Sequence, residues 1–344
     1  MNNISPSIEE KRKLKLHNNS THPVSQLKTK IQNYFPDFTC FDTLPEVVTL
    51  DENFDSLLIP ANHPARAATD TYYMDGNHVL RTHTSAHQTT LLKQGETKFL
   101  VTGDVYRKDT IDKTHYPVFH QMEGVKVLPA GTDALQDLKQ TLAGLIHHLF
   151  PGKEYRWLDD FFPFTDPSVQ IEVLDNGNWV EVLGAGVIHS QILRNGGISG
   201  TGWAFGLGID RLLLTYCSIP DIRYLWSKDE RFLNQFKHGL PIFQPYSKFP
   251  AVIRDISFWI QDYAENAEGL WNQHNDFSEL CREIGRDLIE SITVLDKYTK
   301  NGLVSLAYRM VYQSNDRTLL NEEVNEYQEK VRAKASQQFG LLLR

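Results

Sequence analysis

The sequence predicts an α+β protein in two units: a larger domain built on an antiparallel sheet flanked by helices, then a smaller domain with the element order βαββαβ. Three observations predict it. Candidate strands follow one another across short turns instead of alternating with helices, which selects antiparallel pairing. Helices with apolar residues at helical spacing punctuate those strands. The texture then changes near Gln244-Pro245-Tyr246-Ser247-Lys248, where a second run of elements begins.

Residues 1–24 are polar and carry Lys11-Arg12-Lys13 and Lys15. They are expected to form a flexible tail. The apolar core of a secretory signal is missing, and Glu9 and Glu10 do not suit an acid-poor organellar transit peptide. In residues 25–242, Gln26 to Tyr34 predicts a short helix. Ala134 to Leu149 predicts a longer amphipathic one, with Leu135, Leu138, Leu142 and Leu145 at helical spacing. Lys98–Val101, Gln170–Leu174, Trp179–Leu183 and Gly186–Leu193 are rich in strand formers, and Asp175-Asn176-Gly177-Asn178 reads as a hairpin turn.

In residues 243–344 the pattern predicts strand Ala251–Ile260, a helix around Asp276–Leu288 and strands Ile292–Tyr298 and Leu303–Gln313. Helix Asn321–Gln338 and strand Gly340–Leu343 complete it. That order is the ferredoxin-like unit.

Composition bounds the function without naming it. A hydrophobic share of 41% and a charged share of 23% are ordinary for a soluble globular protein. No apolar run approaches the roughly 18–20 residues that cross a bilayer, so no membrane role is expected. Cys40, Cys217 and Cys281 are odd in number and far apart, which argues against a disulfide scaffold. The thirteen histidines show no paired metal-ligand spacing with carboxylates, so no structural zinc is expected. A net charge of −8 excludes a general nucleic-acid coat but not a local basic patch on RNA.

Two stretches carry chemistry. In Gly103-Asp104-Val105-Tyr106-Arg107-Lys108-Asp109, followed by Thr114-His115-Tyr116-Pro117-Val118-Phe119-His120-Gln121-Met122-Glu123-Gly124, an arginine ends one strand. An aromatic and polar acceptors then line the returning strand. Arg107 can hold a phosphate with its planar fork, Phe119 can stack on a base, and Gln121 and Glu123 share a strand face. A surface hairpin closed by a salt bridge fits the same residues. The second stretch is Trp203-Ala204-Phe205-Gly206-Leu207-Gly208-Ile209-Asp210-Arg211. Its glycines admit a ligand to the backbone, and Arg211 opens an apolar helix. It is no dinucleotide fingerprint, because arginine replaces the third glycine and no βαβ unit follows.

Together the two stretches resemble motifs 2 and 3 of the class II aminoacyl-tRNA synthetases. Further stretches narrow the resemblance: His63-Pro64-Ala65-Arg66, Leu80-Arg81-Thr82-His83-Thr84-Ser85-Ala86-His87-Gln88, Phe162-Pro163-Phe164-Thr165 and Glu181-Val182-Leu183-Gly184-Ala185-Gly186. All resemble phenylalanyl-tRNA synthetases, and Lys248-Phe249-Pro250-Ala251-Val252-Ile253-Arg254-Asp255 resembles the start of their anticodon-binding domain. Both units on one chain resemble the single-subunit mitochondrial type. Motif 2 carries Arg-x-Asp where many class II enzymes have Arg-x-Glu, and motif 1 is not located.

The resemblance implies ATP and Mg2+ as cofactors and L-phenylalanine and tRNA(Phe) as partners. It also implies a monomer and a place in the mitochondrial matrix, with plastid or cytoplasm as alternatives. Arg107 would hold the α-phosphate, Arg211 the γ-phosphate, and Phe119 would stack adenine with Arg211 on its other face. His115 would contact phosphates, Glu181 would lie near ATP and Mg2+, and Gly208 would lie beside ATP. Gln121 and Glu123 would bind the substrate ammonium, with His83, Ser85 and Gln88 nearby. Phe162 and Phe164 would meet the substrate ring, and Ala204 would face its para position. Ala86, His87, Thr114, Tyr116, Met122, Phe205 and Gly206 complete the expected substrate contacts. On the residues alone, Phe162-Pro163-Phe164 reads better as core packing around a turn than as a ligand wall. With 12 Lys+Arg against 15 Asp+Glu from Lys248 onward, tRNA binding would need a local patch such as Lys300, Arg309 and Arg317.

Overall fold

The structure is a computed structural model and describes residues 2–108, 110, 112–245, 249–266 and 269–344. In chain order, the strands of the first unit are β1 (Thr39–Phe41), β2 (Val47–Thr49), β3 (His78–Leu80), β4 (Lys98–Tyr106), β5 (Val118–Leu128), β6 (Tyr155–Phe162), β7 (Thr165–Asp175), β8 (Asn178–Ile188) and β9 (Thr201–Gly208). Seven of them make one sheet in the order β1-β4-β5-β9-β8-β7-β6. Its pairings are antiparallel apart from β1 with β4. The expected turn after Asp175 is present. Asn176 (φ 48°) and Gly177 (φ 81°) are both left-handed, as a two-residue Asn-Gly hairpin requires.

Register decides which side chains share a face. Glu123 lies opposite Val101 and Gly206, and Gly206 lies opposite Gly184. One row further, Val125, Ala204 and Gly186 line up in the same way. The other face presents Met122, Leu207 and Leu183, then Leu100, Phe205 and Ala185. There the core forms against Val24, Leu27 and Ile31 of helix Pro23–Gln32 and Leu138, Leu142 and Leu145 of helix Ala134–Leu149. One face is thus helix-covered and apolar, while the centre of the other is floored by glycine and alanine.

Three expectations change. Strand Gly186–Leu193 stops at Ile188, because His189 caps a helix over Ser190–Asn195 by accepting from the Gln191 amide at 3.2 Å. The expected flexible tail is folded: Pro6–Arg12 is helical, Leu16–Asn18 forms a 3-10 turn, and Ile8 is fully buried. Its anchors are too sparse for periodicity to detect. The next helix starts at Pro23, earlier than expected, with His22 as its cap.

The second unit contains β10 (Val252–Ile260), helix His274–Gly285, β11 (Ile289–Lys300), β12 (Leu303–Tyr312), helix Asn321–Phe339 and β13 (Leu342–Leu343). Sheet order β11-β12-β10-β13 is that of the ferredoxin-like fold, and Phe258, Phe277, Tyr308 and Val331 centre its separate core. It docks on the first unit through polar contacts. Lys108 Nζ donates to Asp276 at 2.7 Å, the Tyr72 hydroxyl to Glu279 at 2.9 Å and the Tyr116 hydroxyl to Asp287 at 2.6 Å.

Candidate active site

The front face has its smallest side chains where β5, β9 and β8 meet. A Cβ on Gly184 would come 2.7 Å from Cζ of Phe162, so that ring lies directly on the backbone. Phe162 stacks beside Phe164 with centroids 5.6 Å apart at 14°, and Phe164 packs 6.3 Å from the His83 ring. These rings wall a slot floored by Gly206, with Phe162 itself seated on Gly184. Ala204 sits two residues along β9 from Gly206, on the same face and about 7 Å deeper, because side chains alternate at ~3.4 Å per residue.

Polar groups crowd the mouth of that slot. Glu123 is 2% exposed and its Oε2 has no hydrogen-bond partner among the described residues. Burial pushes its carboxyl up to about 8, with Ser85 as the neighbour opposing the shift. Burial, and then the charge of Arg107, lowers the His83 imidazole to about 3, so this ring is neutral. Thr84 Oγ1 and Gln88 Nε2 are also buried without partners among the described residues. Gln121 Oε1 accepts from the Thr84 amide at 3.2 Å, which leaves its NH2 group near the Gly206 floor. An unmade hydrogen bond at a buried polar group costs about 1–3 kcal/mol. Several such groups in one pocket form a receptor that a small polar ligand completes.

The cationic side lies along the same face. Arg107 follows β4, donates Nε to the Thr82 carbonyl at 2.8 Å and holds its guanidinium 5.3 Å from the Phe119 ring centroid. Arg211 opens helix Ile209–Cys217 directly after Gly208. Its Nη2 is 3.5 Å from His115 Nε2, and its Nη1 is 3.9 Å from Glu181 Oε2. His115 Nδ1 in turn meets Asp112 at 2.7 Å. Arg107 thus lies over an aromatic ring, while Arg211, His115, Glu181 and Asp112 form a second charged group, a set suited to a nucleoside triphosphate.

Of the expected residues, the structure gathers His83, Ser85, Gln88, Gln121, Glu123, Phe162, Phe164, Ala204 and Gly206 at the slot. Arg107, His115, Phe119, Glu181, Gly208 and Arg211 gather at its cationic side. Others lie elsewhere. Met122 and Phe205 point to the covered face by strand alternation, and Phe205 stacks on Phe35 at 5.6 Å. Ala86 packs with Val48 and Val79, while the His87 ring faces Arg81 Nη1 at 2.9 Å. Tyr116 stacks on Trp226 at 5.4 Å, and Thr114 hydrogen-bonds Asp112 at the loop surface. Asp109 of the Arg-x-Asp pattern lies outside the described residues. Sequence reasoning missed Gly184 as the seat of Phe162, although its spacing of two from Gly186 was a visible cue. It also missed Arg81, whose buried guanidinium occupies the space left by Gly103 and whose Nε donates to the Asp104 carbonyl at 2.8 Å.

Residues 8–236 match the family described as tRNA synthetases class II core domain (F), and residues 247–344 match the ferredoxin-fold anticodon binding domain. Fold and site therefore define a class II aminoacyl-tRNA synthetase. Over its full length the chain is 46% identical to the chloroplastic/mitochondrial phenylalanine–tRNA ligase of Arabidopsis thaliana, covering 83% of that protein. It is 42% identical to the mitochondrial phenylalanine–tRNA ligase of Mus musculus, over 98% of this chain and 85% of the relative. It is 35% identical to the mitochondrial phenylalanine–tRNA ligase of Saccharomyces cerevisiae, over 99% and 92%. The chain belongs to the phenylalanine–tRNA ligase family, in its single-chain organellar form.

Proposed function

We propose that this chain activates L-phenylalanine with ATP and transfers it to tRNA(Phe) in organellar protein synthesis, in the mitochondrial matrix. The observation that carries this reading is the pocket itself. Unpartnered buried polar atoms, an aromatic pair and a small-residue floor meet a cationic cluster on one sheet face. A phenylalanine with its ring against Phe162 and Phe164 presents its ammonium to Glu123 and Gln121. Its carboxylate then faces the cationic side.

In the first step a carboxylate oxygen attacks the α-phosphorus of ATP, a P–O bond forms, and pyrophosphate leaves. Two anions must meet, so positioning and charge compensation supply most of the rate. Arg107 serves the α-phosphate, with Phe119 beneath the adenine. Arg211 and His115 serve the outer phosphates. Mg2+ would supply further charge neutralisation, and Glu181 fits it: the carboxylate is half exposed and only loosely paired at 3.9 Å. One protein carboxylate is enough where phosphate oxygens provide other ligands. Glu123 must give up its proton to receive the ammonium. Ala204 offers a para-hydroxyl no hydrogen bond, which disfavours tyrosine.

The second unit, taken as residues 243–344, is the tRNA-binding domain in this reading. The sheet face away from its helices carries Trp259 and Tyr298, with centroids 6.1 Å apart, and the Arg344 guanidinium lies 5.6 Å from Trp259. Aromatics beside a cation suit unstacked bases. Of the three basic candidates, Arg309 is paired with Asp255 and Arg317 with Glu323, which leaves Lys300 and Arg344 as the better phosphate contacts. No helix among the described residues is long and apolar enough to cross a membrane. A monomer suffices, since both functions share one chain. Phenylalanine-dependent ATP–pyrophosphate exchange, followed by charging of tRNA(Phe), tests the proposal. Exchange without charging would indicate another acceptor, and no exchange would refute it.

A further inference from the structure

Behind the site runs a buried chain of ionisable groups that the reaction does not touch. Strand alternation sends His120, between Phe119 and Gln121, to the covered face, where it is fully buried and stacked on Trp226 at 5.4 Å and 17°. Its backbone amide donates to Asp210 Oδ2 at 2.6 Å, and its Nδ1 lies 3.1 and 3.0 Å from the two Asp210 oxygens. Its Nε2 lies 3.5 Å from Asp104 Oδ1, on the residue directly opposite in the β4–β5 pairing. Asp210 precedes Arg211, and Asp104 lies on β4, three residues before Arg107, which follows that strand. One ring therefore hydrogen-bonds the carboxylate next to Arg211 and lies within ion-pair distance, though not hydrogen-bonded, of a carboxylate on the strand that leads to Arg107.

We propose that His120 is a positioning residue for adenylate formation. As an imidazolium shared by Asp104 and Asp210, it holds the strand of Phe119 and Gln121, the approach to Arg107 and the helix start of Arg211 in one register. A neutral imidazole donates from one nitrogen only, so it would serve a single carboxylate and turn a lone pair towards the other. The charged ring serves both. Burial works against that charge, but Asp210 first and Asp104 next outweigh it, and the imidazole is raised above its ordinary range.

Of the other groups facing the ring, Lys15 opposes its charge. His17 Nδ1 shares Asp104 at 2.8 Å, Lys15 Nζ meets its other oxygen at 3.3 Å, and the buried His22 is held down to about 4 by burial and then by His120. His17, Asp104 and His120 also lie close enough to hold a metal ion. A metal ion there is the alternative occupant, and metal content decides between the two.

This inference rests on the phenylalanine-activating reading, and its test separates the two. In the wild type, 15N-histidine NMR should find both His120 nitrogens protonated at pH 7.5, whatever the substrate. A neutral His120 there would overturn the proposal. So would a stoichiometric transition metal that His120→Asn removes. In pyrophosphate exchange, His120→Asn keeps a donor for Asp210 but cannot bridge to Asp104. Its kcat should fall by about tenfold to a hundredfold, the order expected from sub-ångström to 1 Å misplacement, with a much smaller change in KM for phenylalanine. The alkaline limb of the wild-type profile that reports the ring should vanish in this variant. A profile that superimposes on the wild type would overturn the proposal, whereas a wild type without phenylalanine-dependent exchange would refute only the functional reading.

Discussion

Gly184→Ala tests the aromatic slot with one methyl group. The added Cβ would sit 2.7 Å from Cζ and 3.0 Å from Cε2 of Phe162. Carbon atoms settle near ~3.5–4.0 Å, so the ring must retreat by about 1 Å. Phe162 is stacked on Phe164, and that wall leans on His83, so the displacement is passed to the space offered to the substrate ring. Overfilling a packed site costs about 1–3 kcal/mol, or about 5- to 150-fold in affinity. Phe162 is only half buried at the end of its strand, which favours the lower part of that range, about tenfold. The assay is exchange kinetics with phenylalanine and ATP varied separately. KM for phenylalanine should rise by that factor and KM for ATP should stay within about twofold, because Phe162 stacks on Phe164, whereas Arg107 lies over Phe119 and Arg211 meets His115. Gly76→Ala is the control, since a Cβ there meets nothing within 4 Å. An unchanged KM for phenylalanine in folded Gly184→Ala protein would refute the slot.

Arg107→Ala or Arg211→Ala should lower exchange by about 10²–10³, the loss expected for one preorganised charge donor, and near-wild-type exchange in either would sink its phosphate role. Ala204→Gly should admit para-chlorophenylalanine and raise tyrosine activation, while Ala204→Val should impair phenylalanine itself by about 1–3 kcal/mol. Exchange with the three amino acids measures it, and an unchanged ratio in the glycine variant would remove Ala204 from the ring pocket. Glu123 is raised to about 8, so the free enzyme holds its proton near neutrality and phenylalanine binding must expel it. KM for phenylalanine should therefore fall by about tenfold per pH unit up to that value and then level, a slope that Glu123→Gln abolishes. The same proton stabilises the unliganded fold at low pH, and its contribution is lost as pH rises from about 4.5 through about 8. Thermal melts without substrate follow this second trend, and a KM flat across the window would contradict the first.

The sequence by itself determined the local elements and their order. Asn176-Gly177 marks its hairpin because few other residue pairs tolerate two left-handed positions in a row. Helix Ala134–Leu149 has the expected bounds because its apolar stripe and its Asp133 cap are properties of that segment alone. The βαββαβ order of the second unit is legible for the same reason, and so is the pairing of two glycine- and arginine-bearing motifs. Tertiary structure decided whatever depends on distant partners. Phe205 and Met122 sit inside recognisable motifs yet face away from the site, because the pleat sends neighbours to opposite sides and only helix packing settles which side is covered. The first 24 residues look unstructured as a string but fold where Ile8 and His17 find burial. Ion pairs with Asp255 and Glu323 occupy Arg309 and Arg317, which charge counting had offered to RNA. Glu123 holds a proton, and His120 meets carboxylates 16 and 90 residues away, only because folding removes those groups from water. Periodicity and turn chemistry act over a few residues, whereas desolvation and charge pairing act across the assembled fold.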